Sequence, residues 1–152
     1  MNSYIGSWEE YFMGMARYVA QKSKDNSVKV GVVIVGPDNE VRSTGYNGFA
    51  RGIDEHDTSR WERPAKYKWV EHGERNAIYN AARMGLSTRD CTAYMESPPC
   101  TDCARALIQA GIREIVVTTQ NPFKDRADWR ESIEFAENML REAGVIVTWT
   151  DL

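Results

Sequence analysis

The chain has 152 residues, enough for one domain with a sizeable core. Its 42% hydrophobic and 27% charged content suits a soluble globular protein. The net charge of −3 lacks the basic excess of proteins that grip a nucleic-acid backbone, so a polynucleotide partner is not expected. No apolar run approaches the ~20 residues of a membrane span, and Met1-Asn2-Ser3-Tyr4 has no basic stretch followed by an apolar one, as a secretory leader would. The three cysteines are an odd number, and two form a C-x-x-C; this points to a reducing compartment and a metal or redox role. A cytoplasmic protein of one domain, residues 1–152, is expected.

In chain order, Ser7-Trp8-Glu9-Glu10 has capping-box form, with Ser7 as N-cap and Glu10 reaching back. Trp8, Tyr11, Phe12, Met15 and Val19 follow at helical spacing and predict one apolar face up to about Lys24. Residues 28–36, rich in β-branched side chains, read as a strand; Pro37 to Glu40 read as a turn, and Val41 to Asn47 as the returning strand. Gly31 and Gly45 inside these strands suggest close approach of backbone or ligand, or else a bulge.

Residues 48–71 are the least regular part, and a connection this long is usually functional or mobile. His72 to Met84 predict a helix with Ala77, Ile78, Ala81 and Ala82 on its apolar side and Gly85 at its end. Cys91 to Glu96 predict a strand, Cys100 to Ala110 a helix ended by Gly111, and Glu114 to Thr119 another strand. Asp128-Trp129-Arg130-Glu131 reads as a second capping box opening a helix that Gly144 ends. Its predicted face is Trp129, Ile133, Ala136, Met139, Leu140 and Ala143. Val145 to Thr150 complete the order α-β-β-α-β-α-β-α-β. Alternation from residue 91 implies parallel pairing, and the opening hairpin makes the sheet mixed. The expected fold is a three-layer α/β/α sandwich on a five-stranded sheet.

The chemistry concentrates in His72-Gly73-Glu74 and Pro99-Cys100-Thr101-Asp102-Cys103, each opening a helix. Cysteines three apart in a helical turn share one face and can share a metal. The positive end of a helix dipole favours thiolates. His72, Cys100 and Cys103 make three zinc ligands, which leaves a tetrahedral position open as catalytic sites require. Glu74 stands close by without being needed as a ligand and suits a general base that then acts as acid. Simpler readings exist. The C-x-x-C could be a redox pair, or half of a structural zinc site with Cys91 as fourth ligand. Cys91 at the start of a strand is more often a buried small apolar residue, and His56 in a polar loop is expected to be solvated.

With these motifs the chain resembles the zinc-dependent cytidine-deaminase superfamily, and within it the deoxycytidylate (dCMP) deaminases. The similarity covers nearly the whole length. It runs through Ser27-Val28-Lys29-Val30-Gly31, Ser43-Thr44-Gly45-Tyr46-Asn47-Gly48, His72-Gly73-Glu74-Arg75-Asn76-Ala77-Ile78, and Pro99-Cys100-Thr101-Asp102-Cys103-Ala104 continuing to Ile112. The resemblance implies hydrolysis of the C4 amino group of dCMP, with one catalytic zinc ion per subunit held by His72, Cys100 and Cys103, and Glu74 as proton shuttle. It implies that Asn47 contacts the sugar and that backbone groups of Gly73 and Pro98 hold the pyrimidine edge. It also implies a small-molecule nucleotide substrate and a homo-oligomer, in many members a hexamer.

Lys29 is the first candidate for the phosphate, with Arg51, Arg60, Arg63, Lys66, Lys68 and Arg126 as alternatives. Trp61 and Trp69 would close over a base or pack at a subunit contact. The sequence departs from the family pattern at Gly73, where many members have alanine; the expectation is a neutral change, the alternative a pocket widened for a 5-substituted cytosine. It departs also at Met95-Glu96-Ser97, leaving Glu96 to face the site or solvent. Ala50 replaces a proline near which some members are regulated by triphosphates. Asp25-Asn26 offer no thiol for the second zinc of some phage members. Alternative functions are deamination of another free substrate (5-methyl-dCMP, deoxycytidine or an aminopurine), editing of tRNA or DNA, and a non-catalytic module built on structural zinc.

Overall fold

Strand β1 (Gly31–Val35) is buried along its whole length, as its unbroken Gly-Val-Val-Ile-Val run requires of a strand covered on both faces. The computed structural model describes residues 6–120 and 125–152; the Met1 to Tyr4 segment read for a leader lies outside them. Around β1 a five-stranded sheet has the order β2-β1-β5-β6-β7, with β2 (Val41–Tyr46), β5 (Thr92–Met95), β6 (Glu114–Thr118) and β7 (Ile146–Thr150). β1 is antiparallel to β2 and β5, whereas β5, β6 and β7 run parallel. The sheet is mixed and five-stranded, as expected.

Alternation along β1 divides the core. Val33 and Val35 pack with Tyr94 and Val116 against Phe12, Met13 and Ala16 of α1 (Trp8–Ala20). Val32 and Ile34 join Ala77, Leu107, Ala136 and Leu140 on the other face. Those last four come from α3 (Gly73–Arg83), α4 (Thr101–Gln109) and α5 (Ala127–Glu142). Helices on both faces of the sheet make the expected three layers. Gly85, Gly111 and Gly144, read as the ends of α3, α4 and α5, adopt φ of +69°, +81° and +79°, the left-handed region a helix stop favours.

The structure corrects four local expectations. The buried face of α1 is Phe12, Met13, Ala16 and Ala20, while Trp8 and Tyr11 are 57% and 40% exposed. A methyl group on Gly31 would overlap the Ala16 carbonyl and the backbone of Ala20. Backbone contact at Gly31 turns the small side of α1 inward and leaves the two aromatics at its flank. Gly45 plays the same part for α3, since a methyl there would overlap the backbone of Gly73 and Ala77. Both glycines thus serve helix-to-strand approach rather than a ligand.

The first strand begins at Gly31, not Val28. Val30 N–H donates to Asn47 Oδ1 at 2.8 Å, and the Val28 carbonyl accepts from Asn47 Nδ2 at 2.9 Å, so a side chain takes the place of a sheet partner. Asp128 is not an N-cap: α5 starts at Ala127, and Asp128 in its first turn pairs with Arg126 at 2.9 Å. Residues 48–71 carry more structure than their composition suggests. Short β3 (Gly48–Phe49) and β4 (Val70–Glu71) pair antiparallel, and a 3₁₀ turn (Thr58–Trp61) and α2 (Lys66–Trp69) lie between them. Trp61 stacks on Phe49 at 4.2 Å between ring centroids, and the Arg60 guanidinium lies 4.2 Å from the Trp69 ring. These tryptophans are therefore committed to one another's neighbourhood rather than to the site.

Candidate active site

His72 is the N-cap of α3 and Cys100 the N-cap of α4, with Glu74 and Cys103 in the respective first turns. Packing of α3 beside α4 brings the two N-termini together. His72 Nδ1 stands 3.5 Å from Cys100 Sγ and 3.4 Å from Cys103 Sγ, and the three donor atoms lie within 4.8 Å of one another. Ligands at ~2.1 Å (nitrogen) and ~2.3 Å (sulfur) around a tetrahedral zinc would be separated by about 3.6 Å. The donor set therefore has the spacing of a zinc site without rearrangement. α5 supports it from outside: Ser132 Oγ accepts a hydrogen bond from Thr101 N–H, the first residue of α4, at 3.1 Å.

The electrostatics agree with a cation at this point. The Cys103 thiol hydrogen-bonds the Cys100 sulfur and, with the His72 ring, outweighs burial to hold the Cys100 pKa at about 4. Cys103, on the other side of that bond and deeply buried, is pushed up. His72 is raised, chiefly by its bond to Cys100. Burial raises the Glu74 carboxyl, whose Oε2 lies 3.6 Å from Cys103 Sγ. Two thiols and a carboxyl in one buried cluster cannot all ionise without compensation. A divalent cation supplies it. Arg75, joined to Glu71 and 3.9 Å from Asp102, adds positive charge from the side.

A cavity opens beside this cluster. His72, Gly73 and Glu74 line it together with Val28, Val30, Asn47, Ser97 and Trp129, the last 6.4 Å from His72 between ring centroids. Its charged lining is Asp25, Arg63, Lys66 and Arg126, with Tyr67 among them.

A family model describing the cytidine and deoxycytidylate deaminase zinc-binding region matches residues 6–119. The chain belongs to the cytidine and deoxycytidylate deaminase family. It is 41% identical over 115 residues to deoxycytidylate deaminase of Mus musculus, covering 72% of this chain and 63% of the mouse protein. The chain thus spans less than two thirds of that relative. An uncharacterised deaminase of Aliivibrio fischeri is 38% identical over 150 residues, 97% of each chain. The crystal structure of the dCMP deaminase of cyanophage S-TIM5, in complex with dCMP and dUMP, superposes with a TM-score of 0.74 at 24% identity, over 93% of this chain and 96% of that one. The shared fold is that of the cytidine deaminases. The metal of this family region is zinc, and His72, Cys100 and Cys103 are positioned to hold it.

The other residues singled out in this family member are placed as follows. Cys91 is buried and apart from the cluster, its sulfur nearest the carbonyls of Arg89 and Ser87 at 3.7 and 3.9 Å. His56 is exposed. Glu96 binds Arg17 at 2.6 Å and so ties β5 to α1, away from the cavity. Asn47 lines the cavity, but its amide is engaged by Val28, Val30 and Asp25. Ser97 lines the cavity, whereas Pro98 is buried and is not among the lining residues.

Lys29 is not brought to the lining; its ammonium donates to the Ser23 carbonyl. Of the alternative cations, Arg63, Lys66 and Arg126 reach the cavity, while Arg51 binds Asn80 and Arg60 lies over Trp69. A methyl on Gly73 would meet the Val30 side chain and carbonyl at 3.3 Å, tighter than ordinary contact, so Val30 already closes on the place of the alanine methyl and Gly73 leaves little slack against that wall. Tyr67, Ser97, Trp129 and Asp25 also line the cavity, and nothing in the sequence marks them for it. Trp129 repeats with Ile133 at helical spacing and was indistinguishable from core. Asp25 has no local signal.

Proposed function

We propose that this protein hydrolyses deoxycytidine 5′-monophosphate to dUMP and ammonia. The observation that carries the reading is the three-donor cluster with Glu74 beside it, facing a cavity that also holds two arginines. Three protein donors suit a catalytic zinc with one position open to solvent. When bound there, zinc supplies a Lewis acid that makes water a competent nucleophile near neutral pH. Glu74, buried in the first turn of α3, takes a proton from the attacking water and returns it to the departing amine. The C4–O bond forms first, making C4 tetrahedral, and the C4–N bond breaks afterwards as the protonated amine leaves as ammonia. Gly73 and Asn47 border the same cavity, where the pyrimidine and sugar would lie.

Arg63 and Arg126 are the residues to which we assign the phosphate. Arg63 Nε donates to the Tyr67 hydroxyl at 2.8 Å, and Arg126 lies near enough to the same side chain to interact with it, so two cations gather beside Tyr67. Arg63 pairs with no carboxylate among the described residues, and Arg126 only with exposed Asp128. Such a pair is matched by a dianionic group. Lys66 is already neutralised by Asp25. Three free cysteines accord with work in the reducing cytoplasm. Exposed Trp8, Tyr11 and Tyr18 on α1 accord with a homo-oligomer.

The test is ammonia release from dCMP, deoxycytidine, 5-methyl-dCMP, dCTP, guanine and single-stranded DNA. We expect dCMP to have the highest kcat/KM. Turnover of the polymer alone, or of guanine alone, sinks the reading.

A further inference from the structure

Among the described residues the buried charged side chains are Asp25, Lys66 and Glu74, 4%, 8% and 4% exposed. Proton transfer uses Glu74 and leaves the other two without a task. Lys66 Nζ lies 2.8 Å from Asp25 Oδ2, joining α2 to a segment 41 residues earlier. That segment, residues 23–30, is neither helix nor strand, yet it forms part of the cavity wall through Val28 and Val30. Its backbone is held by side chains. Asp25 Oδ1 accepts from Ser27 N–H at 2.8 Å and from Val28 N–H at 3.4 Å. Asn47 Nδ2 bridges Asp25 Oδ2 (3.4 Å) and the Val28 carbonyl (2.9 Å), while its Oδ1 accepts from Val30 N–H. Ser23 Oγ donates to the Asn47 carbonyl at 2.7 Å. Both oxygens of Asp25 are thereby used, and among the described residues Lys66 is the only cation that meets them.

We propose that Asp25 and Lys66 form a positioning pair that fixes the wall of Val28, Val30 and Asn47, and so sets substrate affinity without entering the proton chemistry. A buried ion pair contributes little net stability but is costly to break on one side, because the remaining charge has no partner. It therefore locks the backbone hung on it. The pair sits on segment 23–30 and α2, whereas the proton chemistry sits on the first turns of α3 and α4. Loosening it disturbs the wall first. The charge on Lys66 is spent on Asp25, so the pair acts on the whole ligand and does not read the phosphate.

The test rests on the dCMP reading for its substrate and uses the zinc-loaded protein with dCMP and deoxycytidine. Asp25→Asn and Lys66→Met are each expected to raise KM about tenfold for both substrates, with kcat within about threefold of wild type. Lys66→Arg, which keeps the pairing, is expected to stay within about threefold in KM. The double variant Asp25→Asn/Lys66→Met is expected to be no worse than either single change, since the two remove one interaction. Unchanged KM in both single variants overturns the proposal. So does a fall in kcat at constant KM. An effect of Lys66→Met confined to dCMP, with Asp25→Asn silent, also overturns it and makes Lys66 a phosphate contact.

Native-state amide exchange judges the wall without any substrate. The Ser27, Val28 and Val30 amides are expected to exchange at least about tenfold faster in Asp25→Asn, with Leu140 in the α5 core unchanged. Equal protection overturns the proposal even where Lys66→Met fails to fold. A wild type inert toward dCMP would refute the substrate reading, and the exchange data would then decide the pair alone.

Discussion

At the metal cluster every functional side chain comes from the N-cap or first turn of a helix, and each helix start delivers two of them within four residues: His72 and Glu74, Cys100 and Cys103. Along the wall of the same cavity the lining comes from residues 23–30, Asn47, the 63–67 turn and the start of α5, and no two neighbouring pieces belong to one motif. The first region is positioned by regular backbone hydrogen bonding. The second is positioned by side chains bonding to irregular backbone. A regular element tolerates change outside its motif, whereas the wall depends on buried groups bonded to one another across irregular chain. Chemistry and affinity should accordingly fail separately.

The sharpest break comes at the cluster. Cys100→Ala is expected to abolish zinc binding and with it all measurable turnover, read by metal content and ammonia release on the same preparation; one zinc per subunit in that variant would remove Cys100 from the ligand set. Glu74→Gln is expected to keep zinc and the folded state while kcat falls by about 10³-fold, within the usual range for a lost acid–base group. Near wild-type turnover would refute its role as proton carrier.

At the wall the effects should be smaller and appear in KM. Arg63→Ala and Arg126→Ala are each expected to raise KM for dCMP about tenfold and leave kcat/KM for deoxycytidine unchanged. Lys29→Ala, whose ammonium already serves the Ser23 carbonyl in the wall segment, should affect both substrates alike and by less than Asp25→Asn does. A reversal, with Lys29→Ala affecting only the nucleotide, would move the phosphate to the segment where the sequence first put it.

The smallest effect concerns pH and stability. Burial pushes the Asp25 carboxyl up, but hydrogen bonds from Lys66, Ser27 and Val28 outweigh it and hold its pKa below the usual carboxylate value. A carboxylate depressed in the folded state stabilises it above the unfolded pKa, and that contribution is lost as pH falls through the folded value. The melting-temperature advantage of wild type over Asp25→Asn should be full above about pH 5 and shrink as pH falls below about 4. Thermal melts from about pH 6 down to about pH 3 check it; an advantage constant with pH would mean that the Asp25 pKa is the same in the folded and unfolded protein.

The order of the four long helices and the five strands of the main sheet, the zinc donors and the place of Glu74 were legible in the residues, whereas β3, α2 and β4 were not. Their signals are local: β-branched runs, glycines at positive φ, and ligands spaced to fall in one helical turn next to a dipole that favours anions. Family membership follows from the same motifs. Tertiary structure alone decided which face of α1 turns inward, because the contact that settles it is between the backbones at Gly31 and Ala16. It alone took Lys29 out of the cavity and brought Arg63, Arg126 and Trp129 in, since a cation's reach depends on the course of irregular chain that no periodicity encodes. It alone paired Asp25 with Lys66 across 41 residues. A buried charge is found by what surrounds it, and that environment exists only once the chain has folded.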